Sequence, residues 1–190
     1  MDLDRSEPTI TARLAPCCAT VGAKFATVEA LLSGRRTFTV MAEAWPERAG
    51  DPFADQMNAN EKYVVTDTLT DDDISWPNSH VVPIAESMDA VRALRERPGG
   101  DLGAFGSPTL VRSLLAIGLV DELNLMIEPV VLGGGKRIFT DDSVGRSFDL
   151  VDVQVAATGV LRCSYHCIGA NLRTGHSDEL YRDDASPTDS

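Results

Sequence analysis

The chain has 190 residues, enough for one domain with a sizeable core, and 43% hydrophobic with 24% charged residues is ordinary for a globular protein. A net charge of −12 argues against a nucleic-acid partner, which needs a positive surface. No run of about 18 apolar residues could cross a membrane, and the first 25 residues lack the basic start and apolar core of a secretory signal. Cys17, Cys18, Cys163 and Cys167 form no CxxC pair or His/Cys cluster. They read as small buried thiols in a reducing cytoplasm, and no metal site is expected.

Residues 1–24 show no regular period, because Pro8, Pro16 and Cys17-Cys18 interrupt it. The expected domain occupies residues 25–170. Ala30-Leu31-Leu32 is a short apolar strand closed by Ser33-Gly34, and Arg35 to Ala44 then has helical spacing up to Trp45-Pro46. Asp51 to Asn60 is polar, with room for a helical turn or two. Lys62-Tyr63-Val64-Val65-Thr66 and Val81-Val82 read as strands. Ser87 is a candidate N-cap for a helix through Met88, Val91 and Leu94, which Pro98-Gly99-Gly100 ends.

Asp101 to Phe105 is a further strand, turned by Gly106. Ser107 as N-cap and Pro108 as first residue start a helix striped by Leu110, Val111, Leu114 and Leu115, and Gly118 stops it. Glu122 to Leu132 is expected to be one long apolar strand before the glycine turn Gly133-Gly134-Gly135. Val151 to Val155 and Val160 to Ile168 should pair antiparallel through Thr158-Gly159. Residues 171–190 are polar and expected to be a disordered tail. Strand–helix units followed by a strand pair imply an α/β domain, with a mostly parallel central sheet and antiparallel C-terminal edge strands.

Two segments share one design of apolar strand, glycine, polar residue and helix. One runs through Gly34-Arg35-Arg36-Thr37 and the other through Gly106-Ser107-Pro108-Thr109. A helix start presents unpaired N–H groups and the positive end of its dipole, and a glycine before it lets an anion reach the backbone. Two such turns in one sheet suit a pyrophosphate and its sugars, and Arg35 with Arg36 adds charge for a further phosphate. Each turn alone is a weak signal, since a glycine at a strand–helix junction most often only turns the chain.

The pattern Ala30-Leu31-Leu32-Ser33-Gly34-Arg35-Arg36-Thr37-Phe38, with Ala44-Trp45-Pro46 and Lys62-Tyr63-Val64-Val65-Thr66 after it, resembles the bacterial bifunctional deaminase-reductase C-terminal domain family. So do Pro98-Gly99-Gly100-Asp101-Leu102, Gly106-Ser107-Pro108-Thr109-Leu110-Val111, Val120-Asp121-Glu122-Leu123 and the stretch Pro129 to Phe139. The resemblance covers residues 25–170 in order and spacing. It implies a dihydrofolate reductase-like three-layer fold and a nicotinamide-dependent reductase, with NADPH as hydride donor. It implies that Gly34, Arg35, Arg36 and Thr37 hold the pyrophosphate, with Arg35 at the adenosine 2′-phosphate. Thr66 would lie near the adenine ribose, and Gly106, Ser107 and Thr109 would hold phosphate and nicotinamide ribose. The substrate would be a small heterocyclic or carbonyl compound, and the family implies a homodimer, which an incomplete sheet would also favour.

Two departures from the family pattern bear on catalysis. The Ser-Leu-Asp-Gly-like motif whose acid lies at the substrate is absent from residues 1–24. The first strand is therefore atypical or missing, and an irregular segment within residues 8–22 is expected to fill the gap. Where relatives carry a basic residue after the Thr66 position, this chain has Asp67. Its charge would oppose a 2′-phosphate and soften any preference for NADPH over NADH.

Glu128, the one acid inside the apolar run before Pro129, is a candidate pocket acid against the plainer role of an exposed or paired strand residue. Trp45 is a candidate for the substrate cleft, against packing at a helix end, and Lys136-Arg137 reads first as a solvated loop. His80, His166 and His176 show no triad or ligand spacing. Two other readings stay open: a catalytically weak dinucleotide-binding relative, and a structural or interaction protein.

Overall fold

The computed structural model describes residues 26–135, 137–139 and 145–169. The segment within 8–22 expected to replace the first strand, the tail 171–190 and Lys136 lie outside the described residues. Strand β1 (Val28–Gly34) leads into helix α1 (Arg35–Ala44), and α2 (Pro52–Ala59) follows a 3-10 turn at Pro46–Arg48. Then come β2 (Glu61–Val65), β3 (Ser79–Val82), α3 (Ser87–Arg95), β4 (Asp101–Ala104) and α4 (Pro108–Ala116). Strands β5 (Glu122–Ile127), β6 (Ser147–Val155) and β7 (Leu161–Gly169) complete the described elements.

The first four strands are all parallel, in the order β3-β2-β1-β4. β1 is buried without a break from Ala30 to Ser33, as a parallel strand covered on both faces must be. Alternation sends Leu31 and Leu32 to opposite faces. Leu31 joins Phe38, Met57, Val64 and Trp76 under α1 and α2, while Leu32 joins Val91, Leu94, Leu110 and Leu114 under α3 and α4. The result is helix, sheet, helix in three layers.

Local chemistry sets the helix ends. Asp51 caps α2 by accepting from the N–H groups of Phe53 and Ala54 at 2.9 and 3.0 Å, with Pro52 as first residue. Gly118, at φ +70°, closes α4 in a Schellman arrangement: its N–H reaches Leu115 O, and the Leu119 N–H reaches Leu114 O at 2.9 Å. Ser87 is not the cap of α3 but its first residue. A 3-10 turn at Ile84–Glu86 precedes it, and the buried Ser87 hydroxyl donates back to Ile84 O at 2.6 Å.

Lys62 is 1% exposed. Its Nζ donates to the carbonyls of Asn58, Asn60 and Pro77 at 2.9, 2.7 and 3.0 Å and lies 4.5 Å from the Trp76 ring centroid. Three acceptors match its three donors and tie the end of α2 to the approach to β3. Burial lowers its pKa from 10.5 to about 8, against a smaller raising effect of Glu61.

The remaining strands form an antiparallel sheet in the order β5-β7-β6. Register places Leu150, Val153 and Val155 of β6 beside Tyr165, Cys163 and Leu161 of β7, with Leu123, Leu125 and Ile127 of β5 on the other side. That face is apolar. The opposite face carries the Asp152–Arg162 pair at 3.0 Å and the Ser164 to Asn124 hydrogen bond at 2.6 Å. A register shift between Leu150 and Asp152 makes Val151 an extra residue, which keeps Asp152 opposite Ser164 and Val153 opposite Cys163. Asp121 joins α3 to the second sheet: its carboxylate accepts from Arg95 at 2.7 Å, and its carbonyl accepts from the Cys167 N–H at 2.9 Å.

Two strand expectations change. The apolar run from Glu122 ends as a strand at Ile127, not Leu132, because Pro129 has no N–H to donate and the Val130 N–H turns back to Glu128 O at 2.8 Å. Glu128 therefore lies beyond the strand and is exposed. β6 is longer than expected and begins at Ser147. Its turn into β7 does run through Gly159, at φ +83°. Among the described residues no helix is long and apolar enough to cross a membrane, and no His/Cys/Asp/Glu group could hold a metal.

Candidate functional site

From β1 the chain steps outward to β2 and β3, then returns to the other side of β1 with β4. The strand order reverses between β1 and β4. In an open parallel sheet, that reversal leaves a crevice outside the carboxyl ends of the strands, where ligands bind. Gly34 ends β1 and opens α1, and Gly106-Ser107 links β4 to α4, so both glycine turns flank the reversal.

The turns are bonded to each other. The Gly34 N–H donates to Ser107 Oγ at 3.0 Å, and the Ser107 N–H donates to Thr37 Oγ1 at 3.3 Å. Ser107 thus stands at the N-cap position, but its hydroxyl does not cap α4; it reaches across to the other turn. This requires a left-handed backbone, with Gly106 at φ +66° and Ser107 at φ +47°. A non-glycine residue there costs roughly 1–2 kcal/mol and persists only where its surroundings hold it, as the two hydrogen bonds do.

The site suits an anion. Neither α1 nor α4 has an acid in its first turn, so each dipole's positive end is uncompensated. Gly34 has an ordinary extended backbone, φ −85°, and a Cβ built there would meet no atom within 4 Å. Neither backbone geometry nor packing demands glycine at this position, which leaves open space at the helix start. Arg35 and Arg36 are exposed beside it, and Thr109 is exposed on the first turn of α4. These residues fit a phosphate-bearing cofactor.

The structure brings Gly34, Arg35, Arg36 and Thr37 together with Gly106, Ser107 and Thr109 at one sheet edge. Thr66 follows β2 at the same edge and is buried. Its hydroxyl accepts from the Thr68 N–H at 3.1 Å, which shapes the turn after β2. Asp67 serves the fold directly, because its Oδ1 accepts from the Ile84 N–H at 2.8 Å and braces the exit of β3.

Trp45 ends the ten-residue α1, about 15 Å of helix rise from Gly34. It packs edge-on to Phe53 at 5.3 Å with the Arg48 guanidinium over its ring, which is the helix-end packing role. Glu128 sits past the end of β5, beyond the antiparallel sheet rather than at either turn. Composition and spacing mark the two turns but not the bond between Gly34 and Ser107. Its only trace in the sequence is a serine beside the glycine.

A family model described as the RibD C-terminal domain matches residues 15–162. The uncharacterized protein YyaP of Bacillus subtilis (strain 168) is 29% identical over 147 residues, which span 75% of this chain and 76% of that protein. Among solved structures, a protein from Shewanella sp. PV-4 named for riboflavin biosynthesis aligns with a TM-score of 0.60 at 19% identity, covering 87% of this chain and 83% of its own. A pyrimidine reductase-like protein from Corynebacterium diphtheriae aligns with a TM-score of 0.52 at 17% identity, over 74% and 76% of the two chains. At such identities these likenesses concern the fold.

Proposed function

Because the chain belongs to the RibD C-terminal domain family, we propose that it is an NADPH-dependent reductase of a small heterocyclic or carbonyl compound. The observation that carries this reading is the pair of glycine turns, joined by the Gly34–Ser107 hydrogen bond at the strand-order reversal. When bound, the cofactor supplies the hydride, and the protein binds and orients it. The N-terminus of α1, with Arg35 and Arg36, takes the more highly charged phosphates. Gly106, Ser107 and Thr109 hold the second phosphate and the adjoining ribose. Thr66, one strand over, lies on the adenine side.

Titration calorimetry with NADPH and NADH tests the binding half. At least one should bind at micromolar strength or better, about −8 kcal/mol. No heat with either cofactor on folded protein would sink the reading. The chemical half is tested by loss of reduced-nicotinamide absorbance against a panel of heterocyclic and carbonyl compounds. A second reading, a dinucleotide-binding relative with little or no turnover, is favoured by one observation: residues 1–24 contain no Ser-Leu-Asp-Gly-like motif. Binding without turnover of dihydrofolate or riboflavin precursors is its expected signature.

A further inference from the structure

We propose that residues 129–135 are a strap that closes over the nicotinamide end of the bound dinucleotide, an inference that rests on the reading above. Val131 and Leu132 are 98% and 84% exposed, the most of any large apolar side chains among the described residues. Each forgoes the stabilisation that burial would give it. Glycine follows on the far side. Gly133 and Gly135 take φ +69° and +137°, and a Cβ at Gly133, Gly134 or Gly135 would meet no atom within 4 Å. The backbone there can swing at little steric cost. The near side is fixed. The Pro129 ring lies 3.5 Å from the Cβ position of Gly159 at the β6–β7 turn, and the Val130 N–H donates to Glu128 O at 2.8 Å. A firm base, an apolar tip and an open glycine run are the parts of a closing strap.

The base stands at the edge where the dinucleotide binds. α3 runs back from β3 to the start of β4, so its last residue, Arg95, marks the amino ends of the parallel strands. Arg95 holds Asp121 at 2.7 Å, which starts β5 at that same end. β5 follows β4 and α4 in the usual strand–helix–strand sense, so it runs with β4 and finishes toward the carboxyl ends. Its six residues span about 20 Å. Pro129 comes two residues later, on the edge that holds both glycine turns.

Charge selects which half of the ligand the strap covers. Residues 129–135 carry no charge. The phosphates belong to the helix starts beside Arg35 and Arg36, where an apolar cover would strip them of water and return no hydrogen bond. The reduced nicotinamide ring is uncharged and loses little by leaving water. Its closure shields hydride transfer from solvent.

Hydrogen exchange of the full chain with and without NADPH reads this directly. Amides within residues 130–135 should gain protection with NADPH. They should stay unchanged with adenosine 2′,5′-bisphosphate, which keeps the adenosine and its 2′-phosphate but has no nicotinamide. V131S/L132S should release NADPH about tenfold faster in stopped flow, with association unchanged. Calorimetry in the same buffer separates the two levels. No NADPH binding overturns the dinucleotide reading and the strap with it, whereas binding without protection at residues 130–135 overturns the strap alone. Equal protection by both ligands also overturns it. So does protection that follows protein concentration rather than NADPH, since that assigns Val131 and Leu132 to a second copy. Should the double serine variant not fold, exchange of the wild type decides by itself.

Discussion

Ser107 holds a left-handed backbone while its hydroxyl accepts from Gly34 across the crevice. S107A keeps the strain and loses the acceptor. It should lower stability by about 1 kcal/mol, measured by urea unfolding, and weaken dinucleotide binding because the two turns are no longer tied. Unchanged affinity would show that the turns keep their spacing without the bond. Asp67 stands one residue past Thr66 and is bonded to the Ile84 N–H. D67N keeps an oxygen for that N–H and removes the charge. It should tighten NADPH more than NADH in parallel titrations, since only NADPH carries the 2′-phosphate that the carboxylate would oppose. Equal changes would confine Asp67 to bracing β3.

At the scale of elements, β6 shows how one residue sets a register. Without Val151 the strand would read Phe148, Asp149, Leu150, Asp152, Val153, Gln154, Val155, a regular alternation with every apolar residue on one face. Deletion of Val151 should therefore remove the bulge and leave cooperative unfolding intact. Deletion of Val153 keeps the bulge but puts Gln154 opposite Cys163 and Val155 on the polar face, and should lower Tm markedly. Thermal melts of the two deletions check this pair, and equal losses would show that the bulge itself is needed. α1 and α4 illustrate the same dependence on pattern. Apolar stripes fix which side of each helix packs, and so aim both helix starts at one edge of the sheet.

For the molecule as a whole, the buried Lys62 links stability to pH. The unfolded side chain titrates near 10.5 and the folded one at about 8. The native state releases the proton first, so between those values the unfolded state holds more protons and stability rises with pH. Below about pH 8 both states are charged, and the native state carries the cost of burying the ammonium, about 3 kcal/mol. Urea midpoints of the wild type should climb from about pH 8 toward 10.5 relative to those of K62M, which lacks the titrating group. Parallel curves would mean that the three carbonyls keep the ammonium charged in the folded protein.

The order of the elements, both glycine turns, the stop at Gly118 and the Gly159 turn are legible in the sequence. Each follows from residues within a few positions of one another: periodicity, a proline lacking an N–H, a glycine free to take positive φ. The end of β5 is also marked locally, by Pro129 and its missing N–H, but hydrophobicity alone carries the apolar run on to Leu132. Tertiary structure alone decides that Ser107 bonds to Gly34, 73 positions away, that Lys62 is buried beneath three carbonyls, and that Asp67 serves Ile84. In each case a partner lies on another strand or turn, and it is the folding of the sheet, not the local sequence, that brings donor and acceptor within reach.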